Sequence, residues 1–557
     1  MNSFFQLDFK DKSNLQIKNQ AKRLLVISFL MATAGLVIMM RIIELSLPDK
    51  EVNANKHETR IETLNTSRGL LIDRNNRILA SNIYIYNLKA YPKKIKDPIK
   101  TLSLLKKEIT LNNSDQVLEK IKDKKKYEIL IKKNIIAPKA KKINNLGIPG
   151  LEFVPTIKRF YPHKDLAAHY IGHVNDNMKG QMGAERTFNQ LLGSGNDVKL
   201  GIDIRVQYAV RDELKKAFSK YNTKSATAII TDINNGEILS LVSLPDFNPN
   251  KSIDPKHLSY TNTATINLYE MGSTFKIFTI AAAIENRKID LKSKFDATKP
   301  IEISNHIIKD YKPQNKFLST SEIFLKSSNI GASQIAWILG EKKLKKFYNQ
   351  LGLLAISKVN LYEKTKPIIP KKWGKVETAT LSFGHGVSIS PMQMIEAASK
   401  LFRNDKNYIA DIEYNASNKN YRREELISSS TLNILKKLMY ENTITGTAKK
   451  AKLKGYYIGG KTATGEKAIN GKYNKTKIVS SFLAVFPINE PKYISLILLD
   501  EPTLKNSKEG ATGGSTAAPV TAEIFKRIFP ILGINKNLER EPSLFVKNKG
   551  KLNFVSY

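Results

Sequence analysis

The chain contains no cysteine. Disulfides and thiolate metal sites are therefore excluded, and the absence suits an oxidising compartment. Acidic residues are also scarce, with 51 Asp and Glu against 90 Lys and Arg, which leaves a formal net charge of +39. Such an excess ordinarily points to an anionic partner such as nucleic acid. Here the lysines are spread along the chain and mixed with asparagine, and no nucleic-acid-binding motif accompanies them. Nucleic acid is set aside in favour of a lysine-rich composition or an anionic membrane surface. The close trio His163, His169 and His173 lacks a metal-site spacing such as His-Glu-x-x-His, so these read as structural histidines. No metal and no cofactor is expected.

What is present begins with one long uncharged run. Leu24 to Met40 carries no charge, and Ile42-Ile43 extends the run past Arg41, which can snorkel. Seventeen residues are at the short end for a transmembrane helix. Lys10, Lys12, Lys18, Lys22 and Arg23 precede it, which places the N-terminus in the cytoplasm. No small-x-small cleavage site closes the run, so it reads as an uncleaved anchor over residues 24–45 after a cytoplasmic segment 1–23. A chain of 557 residues has room for two or three domains beyond it. In 46–200, alternating segments Gly69–Leu79 and Ile83–Ala90 suggest strands, and Ile99–Ile121 reads as helical. In 201–535, Ala226–Thr231 and Glu237–Val242 flank Asn234-Asn235-Gly236 as a β-hairpin. Helical stretches Ile277–Asn286, Ser328–Leu339 and Met392–Phe402 follow, then apolar strands Val479–Phe486 and Tyr493–Leu499. Strands at both ends with helices between predict an α+β domain. Residues 536–557 form a short basic tail.

Chemistry concentrates at Tyr269-Glu-Met-Gly-Ser-Thr-Phe-Lys276. Gly272 frees the backbone for a tight entry, and Ser273 opens an apolar run, Phe275 to Ile284, that reads as a buried helix. Residues three apart share a helix face, so Lys276 lies one turn from the Ser273 hydroxyl. Burial and the helix N-terminal field both disfavour a protonated lysine, which makes Ser-x-x-Lys an activated nucleophile with its base. Taken singly, the tetrapeptide also fits an N-cap serine followed by a solvated lysine. Two further boxes shift the balance. Leu325-Lys-Ser-Ser-Asn-Ile-Gly-Ala332 supplies Ser-x-Asn at Ser327 and Asn329, and Gly459-Gly-Lys-Thr-Ala-Thr-Gly465 supplies Lys461-Thr462 ahead of small residues. Ser-x-x-Lys, a Ser-x-Asn type box and Lys-Thr-Gly occur together in β-lactamases and penicillin-binding proteins.

On these residues the chain resembles the class B penicillin-binding proteins, and most closely their division-specific D,D-transpeptidase branch. Arg68-Gly69 with Asp73-Arg74-Asn75 and Leu79-Ala80 resembles the family's entry motif. Asn76 stands where the family has glycine, a swap a turn tolerates because asparagine visits positive φ. Arg159-x-Tyr161-Pro162, Gly183-x-Glu185 and Ile202-Asp203 resemble further landmarks, as do Ser382-Phe-Gly-His-Gly386, Pro391-x-Gln393 and Gly513-Gly514 with Ala517-Ala-Pro519. The resemblance implies an elongated α+β pedestal over 46–200 and a serine β-lactamase-like transpeptidase domain over 201–535, its sheet covered by helices. It implies that Ser273 attacks the D-Ala–D-Ala bond of a peptidoglycan stem, Lys276 is the base, and Ser327 relays a proton. Asn329 would hold the substrate amide, and Lys461 and Thr462 its terminal carboxylate. The N–H groups of Ser273 and Thr464 would form the oxyanion hole. It further implies β-lactams as inhibitors, stem peptides or lipid-linked nascent glycan strands as substrates, and a membrane glycosyltransferase and other division proteins as partners. The catalytic domain would lie in the periplasm, at the septum.

One departure sits inside the site. Ala463 replaces the glycine of Lys-Thr-Gly, and its methyl is expected to intervene mildly at the substrate, slowing β-lactams with bulky side chains. Rival readings are a β-lactamase, disfavoured by the anchor and pedestal, an elongation-type transpeptidase, and a catalytically weak scaffold or sensor. The Tyr269-Glu270 pair resembles the division branch, and the intact Ser273, Lys276 and Asn329 argue against a dead scaffold.

Overall fold

A computed structural model describes residues 8–46, 67–252, 254–304, 306–415, 422–469, 472–504 and 510–536. The first seven residues and the basic tail past Lys536, both read above, lie outside the described residues. The chain divides into two units, 1–65 and 66–557. In the first, helix α1 (Asp8–Ser46) carries an 18-residue window, Leu25–Ile42, of mean hydropathy 2.2. At 1.5 Å per residue that window is about 27 Å long, close to the hydrocarbon thickness of a bilayer. Its side chains are exposed, as an anchor's would be.

The second unit opens with β1 (Leu71–Ile72) and β2 (Ile78–Ala90), joined by a turn in which Asn76 takes the expected positive φ, 63°. Ile99–Ile121 is not one helix. It is α2 (Pro98–Glu108), capped by the Asp97 side chain, and α3 (Ser114–Lys122). Ile109 turns extended and Asn113 adopts left-handed φ 59°, so β-branched and Asn-Asn residues of weak helix propensity win at the junction. Strands β3 (Ile129–Ile136), β4 (Leu151–Phe160) and β5 (Val198–Lys199) complete a sheet of order β3-β2-β1-β5, with β4 also on β2. Two arginines of the family-like landmarks meet one acid at its edge. Glu185 is fully buried and accepts from Arg68 and Arg159, each at 2.7 Å.

Helix α4 (Ile204–Lys220) follows, then the hairpin β6 (Ser225–Asp232) and β7 (Ile238–Leu244), closed by Gly236 at φ 80°. Helices α5 (Phe275–Glu285), α6 (Thr320–Lys326), α7 (Asn329–Leu339), α8 (Pro391–Arg403) and α9 (Ser429–Ile444) separate it from β8 (Gly459–Ile469), β9 (Lys472–Phe486) and β10 (Tyr493–Asp500). Helix α10 (Ala517–Ile531) is last. The five strands pair antiparallel in the order β8-β9-β10-β6-β7, which leaves β8 as an edge. Along β10 the side chains alternate: Ile494, Leu496 and Leu498 pack with α5 and α8, while Ile497 and Leu499 pack with α4 and α10. Both faces of the sheet are covered, which is why its central strand β10 reads as a nearly continuous apolar run. Helix α5 lies between sheet and outer helices, buried from Phe275 through Ala283, and brings the Lys276 ammonium stem into the interior with it.

Candidate active site

Ser273 does not open α5 as expected; it lies in a 3₁₀ turn, Gly272–Thr274, that feeds the helix at Phe275. The turn is pressed between two segments. Gly272 has φ +54°, and a Cβ there would come within 3.2 Å of the Thr464 carbonyl on β8. Gly384, in the Ser382–Gly386 loop, sits so close that a Cβ would meet the Gly272 carbonyl at 2.4 Å. The turn that carries Ser273 is thereby fixed from the strand side and the loop side at once.

Around it the structure brings five of the seven expected residues into one bonded cluster. Lys276 Nζ lies 2.7 Å from Ser273 Oγ, 2.7 Å from Asn329 Oδ1 and 3.0 Å from the Ser327 carbonyl. Ser327 Oγ lies 2.8 Å from Ser273 Oγ and 2.9 Å from Lys461 Nζ, so it bridges the serine and the second lysine. Both lysines are 0 % exposed. Burial first, and then the charge of Lys461, hold Lys276 well below the usual lysine range. Burial brings Lys461 down to about 7. A buried amine that is neutral and 2.7 Å from a serine hydroxyl can accept its proton.

Thr462 and Thr464 sit differently. The Thr462 hydroxyl donates to Thr447 Oγ1 at 2.7 Å, and Thr464 Oγ1 accepts from the Gly513 N–H at 3.0 Å. The Asn329 amide is engaged at both ends, since Nδ2 donates to the Lys309 carbonyl at 3.1 Å.

Ala463 departs from expectation in its direction. Residues two apart on a strand share a face, so its methyl points with the Lys461 side chain under the nucleophile turn. It is 3 % exposed, and a Cβ on Gly272 would lie 3.6 Å from it. The methyl fills space beneath Gly272.

Sequence reasoning missed Thr447, and it missed the Phe383-His385 pair flanking the site. Lys276 Nζ sits 5.8 Å from the Phe383 ring centre, and the His385 ring stacks on Tyr473. Burial and Lys276 lower His385 to about 4, so it is neutral near pH 7. Phe383 and His385 fall within the Ser-Phe-Gly-His-Gly landmark, for which the resemblance implies no role. The histidines 169 and 173 are held by protein groups: His169 Nε2 by the Ser259 carbonyl at 2.9 Å, His173 Nε2 by Tyr260 Oη at 3.1 Å.

The chain matches the penicillin binding protein transpeptidase domain over residues 226–526 and the penicillin-binding protein dimerisation domain over residues 63–199. A Caulobacter vibrioides protein named "Probable peptidoglycan D,D-transpeptidase FtsI" is 35% identical over 492 residues, 85% of this chain and 82% of that one. A Neisseria gonorrhoeae protein named "Probable peptidoglycan D,D-transpeptidase PenA" is 29% identical over 509 residues, 86% of each chain. The stage V sporulation protein D of Bacillus subtilis is 28% identical over 513 residues, 84% of this chain and 78% of its own. A transpeptidase-domain match longer than half the chain, preceded by the dimerisation domain and joined to these similarities over most of each sequence, establishes that the chain belongs to the class B penicillin-binding proteins.

Proposed function

We propose that this protein is a peptidoglycan D,D-transpeptidase acting through a Ser273 acyl-enzyme, and that it works in septal wall synthesis. The observation that carries the reading is the buried Lys276 amine 2.7 Å from Ser273 Oγ, with Ser327 bridging to Lys461. Ser273 Oγ attacks the carbonyl carbon of the penultimate D-alanine while its proton passes to Lys276. The tetrahedral oxyanion is met by the N–H groups of Ser273 and Thr464, and its collapse breaks the C–N bond. The leaving D-alanine nitrogen receives a proton through Ser327, whose hydroxyl is within 3.4 Å of Lys276 and 2.9 Å of Lys461. An acceptor amine then attacks the ester, its proton returns to Ser273 Oγ by the same relay, and an amide crosslink results. Lys461 and Thr462 hold the terminal carboxylate, and Asn329 the stem amide. A β-lactam follows the first half, but its leaving nitrogen stays tethered and blocks the acceptor.

In this reading residues 24–45 anchor the chain in the inner membrane with residues 1–23 in the cytoplasm. Residues 46–200 are the pedestal and 201–535 the catalytic domain, with 536–557 a basic tail. A membrane glycosyltransferase and other division proteins are the partners. The similarity to the Caulobacter vibrioides protein supports the septal assignment. Membranes incubated with a fluorescent penicillin test the chemistry: label is expected on the wild type and absent from Ser273→Ala, and label persisting on that variant would move the nucleophile elsewhere. Side-wall rather than midcell fluorescence of a fusion protein would replace the septal role by elongation.

A further inference from the structure

The Ser327-Ser328-Asn329 turn is a strained element that carries Ser327, the proton relay, and Asn329, whose side chain contacts Lys276. Ser327 ends α6 at φ 62°, ψ 40°, a left-handed conformation that is unfavourable for a non-glycine residue. Something must hold it. Asp310 follows the short strand His306–Ile308, is 6 % exposed, and faces this turn. Its Oδ1 accepts from the backbone N–H groups of Asn329 at 2.5 Å and Ile330 at 3.0 Å, and its Oδ2 accepts from Ser328 Oγ at 2.7 Å. Ser328 Oγ in turn accepts from the Gly331 N–H at 3.0 Å as the N-cap of α7. The preceding carbonyl, Lys309, takes the Asn329 Nδ2 donor at 3.1 Å. Residues 309 and 310 thus grip both the main chain and the side chain of Asn329, whose Oδ1 is left aimed at Lys276.

We infer that Asp310 is a positioning residue of the transpeptidase site: it clamps the first turn of α7 so that Ser327 and Asn329 meet Ser273 and Lys276, and it places its carboxylate among the groups that face Lys276. Carboxylate bonded to free N–H groups at a helix start is a stable arrangement, since those donors have no partner inside the helix. The charge has a second consequence. The ionisable groups facing Lys276 are Lys461 from β8, His385 from the loop before α8, and Asp310. Lys461 and burial disfavour the ammonium, His385 is neutral, and Asp310 opposes them by favouring it. Removing the Asp310 charge leaves Lys276 neutral down to lower pH. A residue that merely held the fold would leave the pH dependence unmoved.

The inference rests on the acyl-enzyme reading, and wild-type acylation in the same assay secures that reading independently. Full-length protein in detergent is acylated with benzylpenicillin from about pH 5 to pH 9, and the second-order rate constant is measured. Asp310→Asn keeps an acceptor oxygen and nearly the same shape while losing the charge; its acid limb should move to lower pH with a modest loss of rate. Asp310→Ala loses the clamp as well and should acylate about a hundredfold more slowly near neutral pH, as misplaced catalytic groups do. An Asp310→Asn profile superimposable on wild type overturns the proposal whether or not the alanine variant folds. So does an Asp310→Ala protein that acylates at the wild-type rate.

Discussion

Two lysines share the interior of this site and want opposite protonation states. In the proposed mechanism Lys276 is neutral when it takes the Ser273 proton, so acylation should rise with pH through its depressed pKa. In the same mechanism Lys461 is charged when it holds a carboxylate, so the rate should fall as pH passes about 7, where burial has brought it. The two titrate as a pair, and the second-order rate of acylation should trace a bell whose limbs belong to the pair. A penicillin esterified at its carboxylate no longer needs the cation and should lose the basic limb while keeping the acid one. A basic limb that persists with the ester would remove Lys461 from carboxylate binding. Lys276→Arg tests the other half. Guanidinium stays protonated, so the variant should fold yet lose acylation by orders of magnitude. Near-normal acylation there would place the base elsewhere.

Among the elements, the 3₁₀ turn and β8 decide how well the nucleophile is held. Gly272→Ala puts a side chain at φ +54° and 3.2 Å from the Thr464 carbonyl. It should cost about 1–2 kcal/mol and slow acylation, as measured by thermal shift and penicillin labelling. A variant as stable and reactive as wild type would show that the contact with β8 is loose. Ala463→Gly, by contrast, removes a methyl packed beneath that turn. It should lower stability by about 1 kcal/mol, and it should change the rates of bulky and small β-lactams alike. Selective acceleration of bulky β-lactams would put the methyl back in the ligand's path. Much of this was legible beforehand because it is local. Serine and lysine three apart fall on one helix face whatever surrounds them, and the apolar run around Lys276 already implied burial. The direction of the Ala463 methyl also follows from strand period, given that Lys461 points inward. Asp310 and Thr447 were not legible, since each reaches its partner through tertiary closure across a stretch with no fixed spacing. The break between α2 and α3 was hidden because Ile109 and Leu111 continue the hydrophobic pattern while the backbone turns extended at Ile109.

At the scale of the whole molecule, the +39 charge is cheap wherever lysines face solvent, and the question is what happens to the cations inside. Two contrasting kinds stand out among the described residues. Arg68 and Arg159 are buried against Glu185, with ion pairs of 2.7 Å that tie the start of the second unit to β4 and to the Gly183–Thr187 helix. Lys276 and Lys461 touch hydroxyl, amide and carbonyl oxygens instead of a carboxylate, and both are pushed toward the neutral form. The two kinds should answer mutation in opposite ways. Glu185→Ala leaves two buried guanidiniums that cannot lose their protons, so it should destabilise by about 3–5 kcal/mol. Lys276→Met removes an amine that the unfolded chain protonates and the folded chain does not. The sign follows: the unfolded state binds the extra proton at every pH between the depressed pKa and the ordinary one near 10.5, so wild-type stability is reduced across that window and recovers as pH rises toward it. Lys276→Met should therefore abolish acylation while leaving the melting temperature at neutral pH unchanged or raised, and it should flatten the rise of stability with pH. Thermal unfolding of both variants at neutral and at alkaline pH compares them directly. If Lys276→Met lowers the melting temperature as far as Glu185→Ala does, then Lys276 is a structural cation in the folded protein, and the neutral-amine account of its catalysis fails with it.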